Sequence, residues 1–575
     1  MKNLKKIMAL IVAMVMIVGT MSSMTVFAAQ GAAKEDGKVV ITGLDKDDTV
    51  KLYKVIGWTE STGWELEEGF TVPQFDGKLG TKNQAISIDT GVVETINGQI
   101  TDTMDPVATA TIDASGKFEA EVDPGMYIAI VTAATPGTVY NPIIVSSDFV
   151  VDGNSIDASA ADSVIPNSVS GAEAVAKKST LELKKEGTDE TSVDGNKNET
   201  VAVGDTVNFK IETEIPPFAT YNNPIFTITD ELSDGIKLGD VETIVVTKPE
   251  GAHRDTDYTV TKDGDHKFTV KFDKDYLKTI AANTDVQIDY PATITSDAVK
   301  SVNPENNTVT LEYQRDPKSN SDKTTEKVRD ITNHYSFTID GNLLGDDNYS
   351  ATEVVKVGVS ADGSEIIEKV TLANQNSVGA LEGATFKLVY AEAVKDKDGN
   401  TVHAANDIVE TYDKDGQKIT WDDKKIISGA DGRINITGLD AGKYKLIEVK
   451  APNGYIKMQE AVDVEIQATV KNVTYKDEDG CTINTTELES YKIIIGGKET
   501  ASYTITNSKD VTKATSDKGD TVVGIDASSG KIKNTKGVEL PSTGGIGTTL
   551  FYIIGAILVV GAGILLVTRR RMSAK

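Results

Sequence analysis

Histidine and cysteine, which often catalyse reactions or bind metals, are few and scattered in this sequence of 575 residues. The four histidines, His253, His266, His334 and His403, lack the spacing of metal ligands, so we expect no metal and no other cofactor. Cys481 is the only cysteine, so one chain cannot form an internal disulfide. The GxSxG, HExxH and phosphate-loop patterns are absent. These observations predict that the protein is not an enzyme.

The first 29 residues have the pattern of a secretory signal peptide. Residues 1–6 are basic, residues 7–18 form a short apolar run, and small residues surround Ala28 and Ala29. This order of segments predicts export of the chain, with cleavage after Ala28 or Ala29.

The C-terminus has three parts that follow one another in a fixed order. A Leu-Pro-Ser-Thr-Gly segment comes first, formed by Leu540, Pro541, Ser542, Thr543 and Gly544. An apolar stretch over residues 546–568 follows and is long enough to span a membrane. The basic tail, residues 569–575, is expected to stay in the cytoplasm.

This arrangement resembles the LPxTG sorting signal of Gram-positive surface proteins. The resemblance implies that the helix holds the chain while a sortase cuts between Thr543 and Gly544 and passes the Thr543 carboxyl group to an amine. We therefore expect a protein that is secreted, inserted briefly in the membrane and then anchored covalently to peptidoglycan.

Composition sets further limits on the function. The formal net charge is −28 and the pI is about 4.6, and we find no basic patch, so no nucleic-acid partner is expected. The chain is too long for one ordinary core, which predicts several domains.

The part of the chain between the two termini has a β pattern almost throughout. Residues 206–211 and 308–313 alternate apolar and polar side chains, and residues 258–272 have the pattern of a hairpin. We expect an all-β fold of tandem immunoglobulin-like sandwiches. The predicted domains cover residues 36–170, 179–345 and 352–539, with a connector rich in small residues over 158–176.

Internal motifs resemble those of the major (backbone) pilins of sortase-assembled Gram-positive pili. Residues 444–455, Tyr-Lys-Leu-Ile-Glu-Val-Lys-Ala-Pro-Asn-Gly-Tyr, match the E-box pattern YxLxExxAPxGY, and residues 381–386 match the opening strand of a CnaB-type domain. Residues 183–185, 203–207, 226–230 and 307–313 resemble parts of the CnaA-type or D2 pilin domain. The resemblance thus implies Cna-type sandwiches.

The resemblance also implies that each of the last two domains joins a lysine to an asparagine through an amide bond, beside an acidic residue. For the second domain it points to Lys184, Asp230 and Asn307, with Lys185 and Asn333 as alternatives. For the third domain it points to Lys356, Glu448 and Asn534, with Asn507 as a rival to Asn534.

Such a bond has a clear physical basis. Burial lowers the pKa of a lysine and supplies the neutral amine, which is the attacking form. Burial also keeps a carboxyl group protonated, so that Asp230 or Glu448 can donate to the asparagine carbonyl and relay protons as ammonia leaves. We expect both bonds to form without another enzyme.

A pilus shaft needs a second kind of lysine, which is exposed and accepts Thr543 from the next subunit. In the pilin family this lysine often lies in a YPK-type motif between the first two domains, and this sequence has no YPK. The corresponding place holds Lys177 and Lys178, which are the candidates.

The leading hypothesis is therefore a structural shaft subunit of a covalent pilus. The implied partners are sortases, other copies of the chain, minor pilins, peptidoglycan and host proteins. The alternative is a monomeric adhesin anchored to the cell wall, which would share every signal except the acceptor lysine.

Overall fold

A computed structural model describes most of the chain. The described residues are 24–28, 37–59, 63–77, 79, 84–123, 125–147, 150–151, 154–155, 173–189, 200–300, 305–318, 325–339, 354–362, 366–367, 369–371, 377–379, 381–395, 399–413, 416–419, 426–430, 432, 434, 436–504, 531–537 and 546–573. The sorting motif, most of the predicted signal peptide and the alternative residue Asn507 lie outside these ranges.

The first domain is built on two β-sheets. One sheet has the strand order β10-β8-β3-β4, with β6 also on β3, and the other has the order β13-β2-β7. The elements are β1 (Met24–Ala28), β2 (Gly37–Thr42), β3 (Thr49–Thr59), β4 (Gly63–Leu66), β5 (Gln84–Ile88), α1 (Thr90–Asn97), β6 (Ala108–Thr111), β7 (Phe118–Val122), β8 (Gly125–Thr132), β9 (Thr138–Tyr140), β10 (Ile143–Ser146), β11 (Val150–Val151), β12 (Asn154–Ser155), β13 (Glu173–Val175) and β14 (Lys178–Thr180), with a 3-10 turn at Pro73–Phe75.

The end of the predicted connector is part of the first domain. Strand β13 pairs in parallel with β2, and strand β14 pairs antiparallel with β9, so that Ser179 lies opposite Val139. Ser179, predicted as the start of the second domain, is therefore held by backbone hydrogen bonds to the first domain. Of the two candidate acceptor lysines, Lys177 lies between these short strands and Lys178 is the first residue of β14.

The second domain is a sandwich of two five-stranded sheets. The first has the order β15-β16-β22-β18, with β19 also on β22, and the second has the order β20-β21-β17-β23-β24. The elements are β15 (Lys184–Asp189), β16 (Thr206–Ile215), β17 (Phe226–Leu232), β18 (Ile236–Leu238), β19 (Val245–Lys248), β20 (Tyr258–Lys262), β21 (Lys267–Phe272), α2 (Lys274–Thr279), β22 (Thr284–Ile294), β23 (Glu305–Gln314) and β24 (Thr325–His334), with 3-10 turns at Val241–Thr243 and Ser296–Lys300.

Strand alternation explains the core of this sandwich. On β22 every second residue from Val286 to Ile294 is buried, and on β17 Phe226, Ile228 and Asp230 point inward in the same way. Successive side chains of a strand face opposite sides of the sheet, so each strand contributes one buried row. The predicted hairpin at 258–272 is present, as β20 pairs with β21.

The third domain combines a six-stranded sheet, β34-β29-β35-β36-β37-β38, with a three-stranded sheet, β26-β25-β39. Its core begins at Tyr335 and Phe337, inside the range predicted for the second domain. The elements are β25 (Val355–Val359), β26 (Ile366–Ile367), β27 (Lys369–Thr371), β28 (Ser377–Gly379), β29 (Thr385–Tyr390), β30 (Val394–Lys395), β31 (Thr401–His403), β32 (Thr411–Tyr412), β33 (Lys418–Ile419), β34 (Ile426–Ile427), β35 (Gly442–Lys450), β36 (Val462–Lys476), β37 (Thr482–Ile495), β38 (Lys498–Thr504) and β39 (Lys531–Thr535).

A long hairpin of the third domain, formed by β36 and β37, packs against β24 of the second domain. At its tip, the Arg329 guanidinium lies 3.0 Å from the Asp477 carboxylate, and the buried Cys481 thiol donates to the Lys327 carbonyl at 3.2 Å. The Asn333 amide donates to the Thr486 carbonyl at 2.7 Å. Polar contacts therefore tie the two domains along this hairpin.

The first and second domains meet at helix α1. Asn97, at the end of α1, is fully buried, and its Nδ2 donates to the carbonyls of Thr220 (3.1 Å) and Pro317 (2.6 Å). Nearby ion pairs join Lys278 to Glu94 and Lys318 to Asp102 across the same boundary. The buried amide is the better-protected contact, because water screens exposed ion pairs.

The last described element is helix α3 (Ile546–Met572), which is longer than the predicted span and includes the three arginines. The stretch from Phe551 to Met572 is long and apolar enough to cross a membrane.

The Asn97 contact yields a test of domain coupling. We expect Asn97→Ala to destabilise the chain by about 1–3 kcal/mol, because two buried carbonyls lose their donor. Urea unfolding and hydrogen exchange at residues 218–222 measure this effect. Asn472→Ala, which changes an exposed asparagine on β36, is the matched control and should leave both measurements unchanged. Equal behaviour of the two variants would contradict the assigned role of Asn97.

Candidate cross-linking sites

The second-domain site lies between the two sheets of the sandwich. Lys185 on β15 and Tyr290 on β22 come from one sheet, and Asp230 on β17 and Asn307 on β23 come from the other. Asp230 pairs with Val309 in the ladder, and Asn307 is two residues away on the same inward row. Two facing rows of buried side chains therefore meet at this group.

The lysine of this site is Lys185, and the preference for Lys184 is corrected. The Lys185 side chain is fully buried and its Nζ forms an ion pair with Asp230. The Lys184 side chain is 64% exposed and pairs with Glu182 at 3.0 Å. Because neighbouring residues of a strand face opposite ways, only one of the two lysines can enter the core.

The parity of the strand is the signal that sequence reasoning missed. Leu181 is buried and Leu183 is partly buried against the second-domain core, so odd-numbered positions face inward. Every second residue from Leu181 therefore faces the core, and Lys185 is one of these residues. The alternative Asn333 is buried as well, but its amide donates to the third domain instead.

The polar groups of the site form a closed hydrogen-bond network. Tyr290 Oη donates to Asp230 Oδ2, and it accepts from Lys185 Nζ at 2.9 Å and from Asn307 Nδ2 at 2.8 Å. Asn307 Oδ1 has no hydrogen-bond partner within the described part of the chain. The amide therefore faces the network with its nitrogen.

Burial sets the protonation of this network. Loss of water lowers the pKa of Lys185 to about 8, although the attraction of Asp230 opposes the change. Burial also raises the pKa of Asp230, against the opposing effect of Lys185. Both shifts favour the neutral forms, so the site can hold an uncharged amine beside a protonated carboxyl group.

The third-domain site joins the first strand of that domain to its last. Strand β25 pairs in parallel with β39, so that Lys356 lies opposite Ile532 and Gly358 lies opposite Asn534. Lys356 and Asn534 are thus diagonal neighbours, and both are buried. The lysine Nζ lies 5.3 Å from the centre of the Phe386 ring.

The acid of this site is Glu448, on β35 of the opposite sheet. Its Oε1 lies 3.1 Å from Lys356 Nζ, and its Oε2 accepts from Asn534 Nδ2 at 3.0 Å and from the Met458 backbone at 2.7 Å. Burial lowers the pKa of Lys356 to about 8, with Glu448 opposing. The structure brings all three predicted residues together.

The turn of the E-box positions the asparagine. The Tyr455 backbone donates to the Pro452 carbonyl, and the Ile456 backbone donates to Thr535 on β39. Gly454 has a φ of 85°, which glycine adopts without strain. The Ile456 carbonyl accepts from Asn534 Nδ2 at 2.7 Å. The motif therefore supplies both the acid and the support for the terminal strand.

In both sites the amide nitrogen, rather than the carbonyl oxygen, faces the acidic network. This orientation differs from the expected donation to the asparagine carbonyl. In the expected reaction, this orientation would favour delivery of the proton to the amide nitrogen.

The candidate acceptor lysines differ in their surroundings. Lys177 is exposed between β13 and β14. Lys178 is on β14, its side chain is 33% exposed, and it pairs with Asp45 of the first domain.

No group of three or more His, Cys, Asp or Glu residues is placed to hold a metal ion within the described ranges.

Comparison with known families matches three segments of the chain. Residues 203–317 match the Gram-positive pilin backbone subunit 2, Cna-B-like domain. Residues 367–479 match the SpaA prealbumin-like fold domain, and residues 532–573 match the LPXTG cell wall anchor motif. The model that matches the second domain is thus described as Cna-B-like, whereas the expected subtype was CnaA.

Comparison with individual proteins shows similarity over most of the chain. The trypsin-resistant surface T6 protein of Streptococcus pyogenes serotype M6 is 26% identical over 93% of this chain and 97% of its own length. The solved T6 backbone pilin has a TM-score of 0.52 at 19% identity, covering 88% of this chain and 99% of that one. The major pilin SpaD of Corynebacterium diphtheriae has a TM-score of 0.41 at 16% identity, covering 74% and 90%.

These findings define a class of protein: a Gram-positive surface protein made of immunoglobulin-like β domains and carrying an LPXTG cell-wall anchor with a C-terminal apolar helix. Within that class, the chain is a backbone pilin of a Gram-positive pilus, which places it on the cell surface.

The contrast between the two neighbouring lysines can be tested directly. In an Asn307→Ala variant, whose lysines keep their amines, we expect an acylating reagent to modify Lys184 in the native chain and to leave Lys185 unmodified. The difference follows from side-chain exposures of 64% and 0%. Peptide mass spectrometry measures both sites, and Lys185 should react only after unfolding. Equal labelling in the native chain would contradict the placement.

Proposed function

We propose that this backbone pilin is a shaft subunit that sortase polymerises, and that isopeptide bonds Lys185–Asn307 and Lys356–Asn534 stabilise it. The observation that carries the proposal is the occurrence of two separate groups, each with a buried lysine, a buried acid and a buried asparagine in contact through hydrogen bonds and ion pairs. Burying a charge pair costs free energy, and the presence of two such pairs supports a role in bond formation.

The bond-forming step balances without another reactant. The neutral lysine Nζ attacks the asparagine Cγ, a C–N bond forms, and the Cγ–Nδ2 bond breaks. One proton leaves Nζ, one proton reaches Nδ2, and ammonia departs. The acid transfers these protons and ends in its starting state, so each site reacts once on its own chain.

The product would replace the durability that disulfides give to other exported proteins. Such a bond restricts the unfolded chain as a disulfide does, which is worth about 2–4 kcal/mol by that analogy. An amide is not cleaved by reducing agents, and a chain with one cysteine has no internal disulfide available.

For polymerisation, the proposed step transfers the Thr543 carboxyl group of one subunit to Lys177 of the next. Both lysines are exposed, and Lys177 is favoured because Lys178 pairs with Asp45. Thr543 and Lys177 are different parts of the chain, and such a head-to-tail linkage generates an open filament. The base of the filament would be transferred to peptidoglycan through the same sorting signal.

The isopeptide proposal predicts a loss of mass. We expect the folded wild-type chain to lack the mass of two ammonia molecules, and digestion should yield two branched peptides. Lys185→Ala should remove only the second-domain branch and reduce the free energy of unfolding by about 2–4 kcal/mol.

Lys184→Ala is the matched control and should keep both branches. Retention of the second-domain branch in Lys185→Ala, or its loss in Lys184→Ala, would refute the assignment. A wild-type chain of full calculated mass would refute bond formation altogether.

The polymerisation proposal predicts a ladder of covalent species. Wall material released by a muramidase and boiled in SDS should show a series of high-mass bands containing this protein. Lys177→Ala should collapse the series to a monomer band, because the acceptor amine is gone, while Lys178→Ala should preserve it.

Persistence of the ladder in Lys177→Ala would exclude that residue as the acceptor. A single monomer band from the wild type would favour the alternative, a wall-anchored adhesin that does not polymerise.

A further inference from the structure

The two cross-linking sites differ in how the acid reaches the asparagine. In the third domain Glu448 contacts Asn534 Nδ2 directly at 3.0 Å. In the second domain the contact to Asn307 Nδ2 is made by the Tyr290 hydroxyl, at 2.8 Å, and this hydroxyl in turn donates to Asp230. A tyrosine hydroxyl thus bridges acid and amide in one site, beside the direct hydrogen bond between the Asp230 and Asn307 side chains.

We propose that Tyr290 is a catalytic residue of the second-domain cross-link, and that its hydroxyl relays a proton from Asp230 to the Asn307 nitrogen that leaves as ammonia. This inference rests on the proposed isopeptide function and adds a group specific to one of the two sites.

The hydroxyl is placed to contact both reacting side chains. It accepts from Lys185 Nζ at 2.9 Å and from Asn307 Nδ2 at 2.8 Å, and its own proton points to Asp230. A hydroxyl has one proton and two lone pairs, so these three contacts use its full capacity. The Asn307 side chain also hydrogen-bonds to Asp230, and its Oδ1 has no hydrogen-bond partner within the described part of the chain.

The relay conserves atoms and protons. After Lys185 Nζ attacks Cγ, Asp230 Oδ1 takes one proton from Nζ. The Tyr290 hydroxyl turns its proton from Asp230 to Nδ2 and transfers it there, and the Tyr290 oxygen receives the proton of Asp230 Oδ2. The Cγ–Nδ2 bond then breaks and ammonia leaves. Tyr290 ends as a neutral phenol, and Asp230 ends protonated on its other oxygen.

The raised pKa of the Tyr290 hydroxyl suits proton transfer without formation of a phenolate. Burial, with the nearby Asp230, raises the pKa of Tyr290 well above its usual value. A phenol of this kind stays protonated between steps, so it can pass a proton only when it receives another at the same time.

The ring of Tyr290 is held independently of its hydroxyl. It stacks on Phe209 with ring centres 5.3 Å apart and meets the edge of Phe268 at 4.8 Å. Phenylalanine at this position keeps both ring contacts and removes only the oxygen. Tyr290→Phe therefore tests the relay without opening a cavity.

The experiment follows both bonds in one molecule. The full-length chain, recovered unfolded from inclusion bodies, is diluted into folding buffer with detergent, and samples taken over time are digested for mass spectrometry. We expect Tyr290→Phe to slow the second-domain bond about a hundredfold, in the range of general acid–base catalysis, and to leave the third-domain bond at the wild-type rate.

Two further variants separate the relay from a structural effect. Tyr313→Phe removes another buried hydroxyl of the same domain, which contacts the Gly137 backbone at 2.7 Å, and should leave both rates unchanged. Incorporation of 3-fluorotyrosine at position 290 restores a hydroxyl and should restore the second-domain bond.

Each possible result has a distinct meaning. Wild-type rates for both bonds in Tyr290→Phe would overturn the relay while leaving the isopeptide function intact. Equal slowing of both bonds, or no rescue by 3-fluorotyrosine, would also overturn it, since either result indicates a folding effect. Absence of both bonds in the wild type would instead refute the proposed function itself.

Discussion

The constraint on which this structure depends is the burial of a lysine amine beside a carboxyl group between two apolar sheets. Taking both charges out of water costs several kcal/mol per ion, and mutual attraction recovers that cost only in part. The same cost lowers the pKa of Lys185 and of Lys356 to about 8, because burial disfavours the charged form of each amine. Each site lies beside a large cluster of buried apolar side chains, which supplies the low-polarity surroundings behind these pKa shifts. Both lysine pKa shifts favour the neutral amine that the proposed amide bond requires.

The position of each pair within its domain decides how a tensile load would travel through the proposed polymer. In the third domain Lys356 and Asn534 lie on the first and last strands, which pair in parallel, so a bond between them would carry force past the whole intervening domain. In the second domain Lys185 is on the first strand and Asn307 is on the last but one, in opposite sheets. That bond would join the two sheets across the core. The same chemistry would thus serve two geometries.

The contacts between domains complement these proposed bonds. The buried Asn97 amide links the first domain to two carbonyls of the second, and the β36–β37 hairpin carries polar groups from the third domain onto β24. Strands β13 and β14 tie the segment bearing Lys177 to the first domain. In a filament, this would present the acceptor amine from a fixed surface instead of a loose linker.

The sequence by itself determined the features that depend on local pattern: the anchor motif with its apolar helix, the all-β class, and Glu448, whose place is set by the E-box. Strand parity from Leu181 would also have selected Lys185 over Lys184, since alternation is a local property. Other features depended on the tertiary structure, because they join residues that are distant along the chain. Parallel pairing of β25 with β39 brings Asn534 to Lys356, and the meeting of two sheets places Tyr290 between Asp230 and Asn307. The spacing of residues along the chain does not show which buried side chains of two facing sheets will meet. The packing of the sheets against each other decides which ones do.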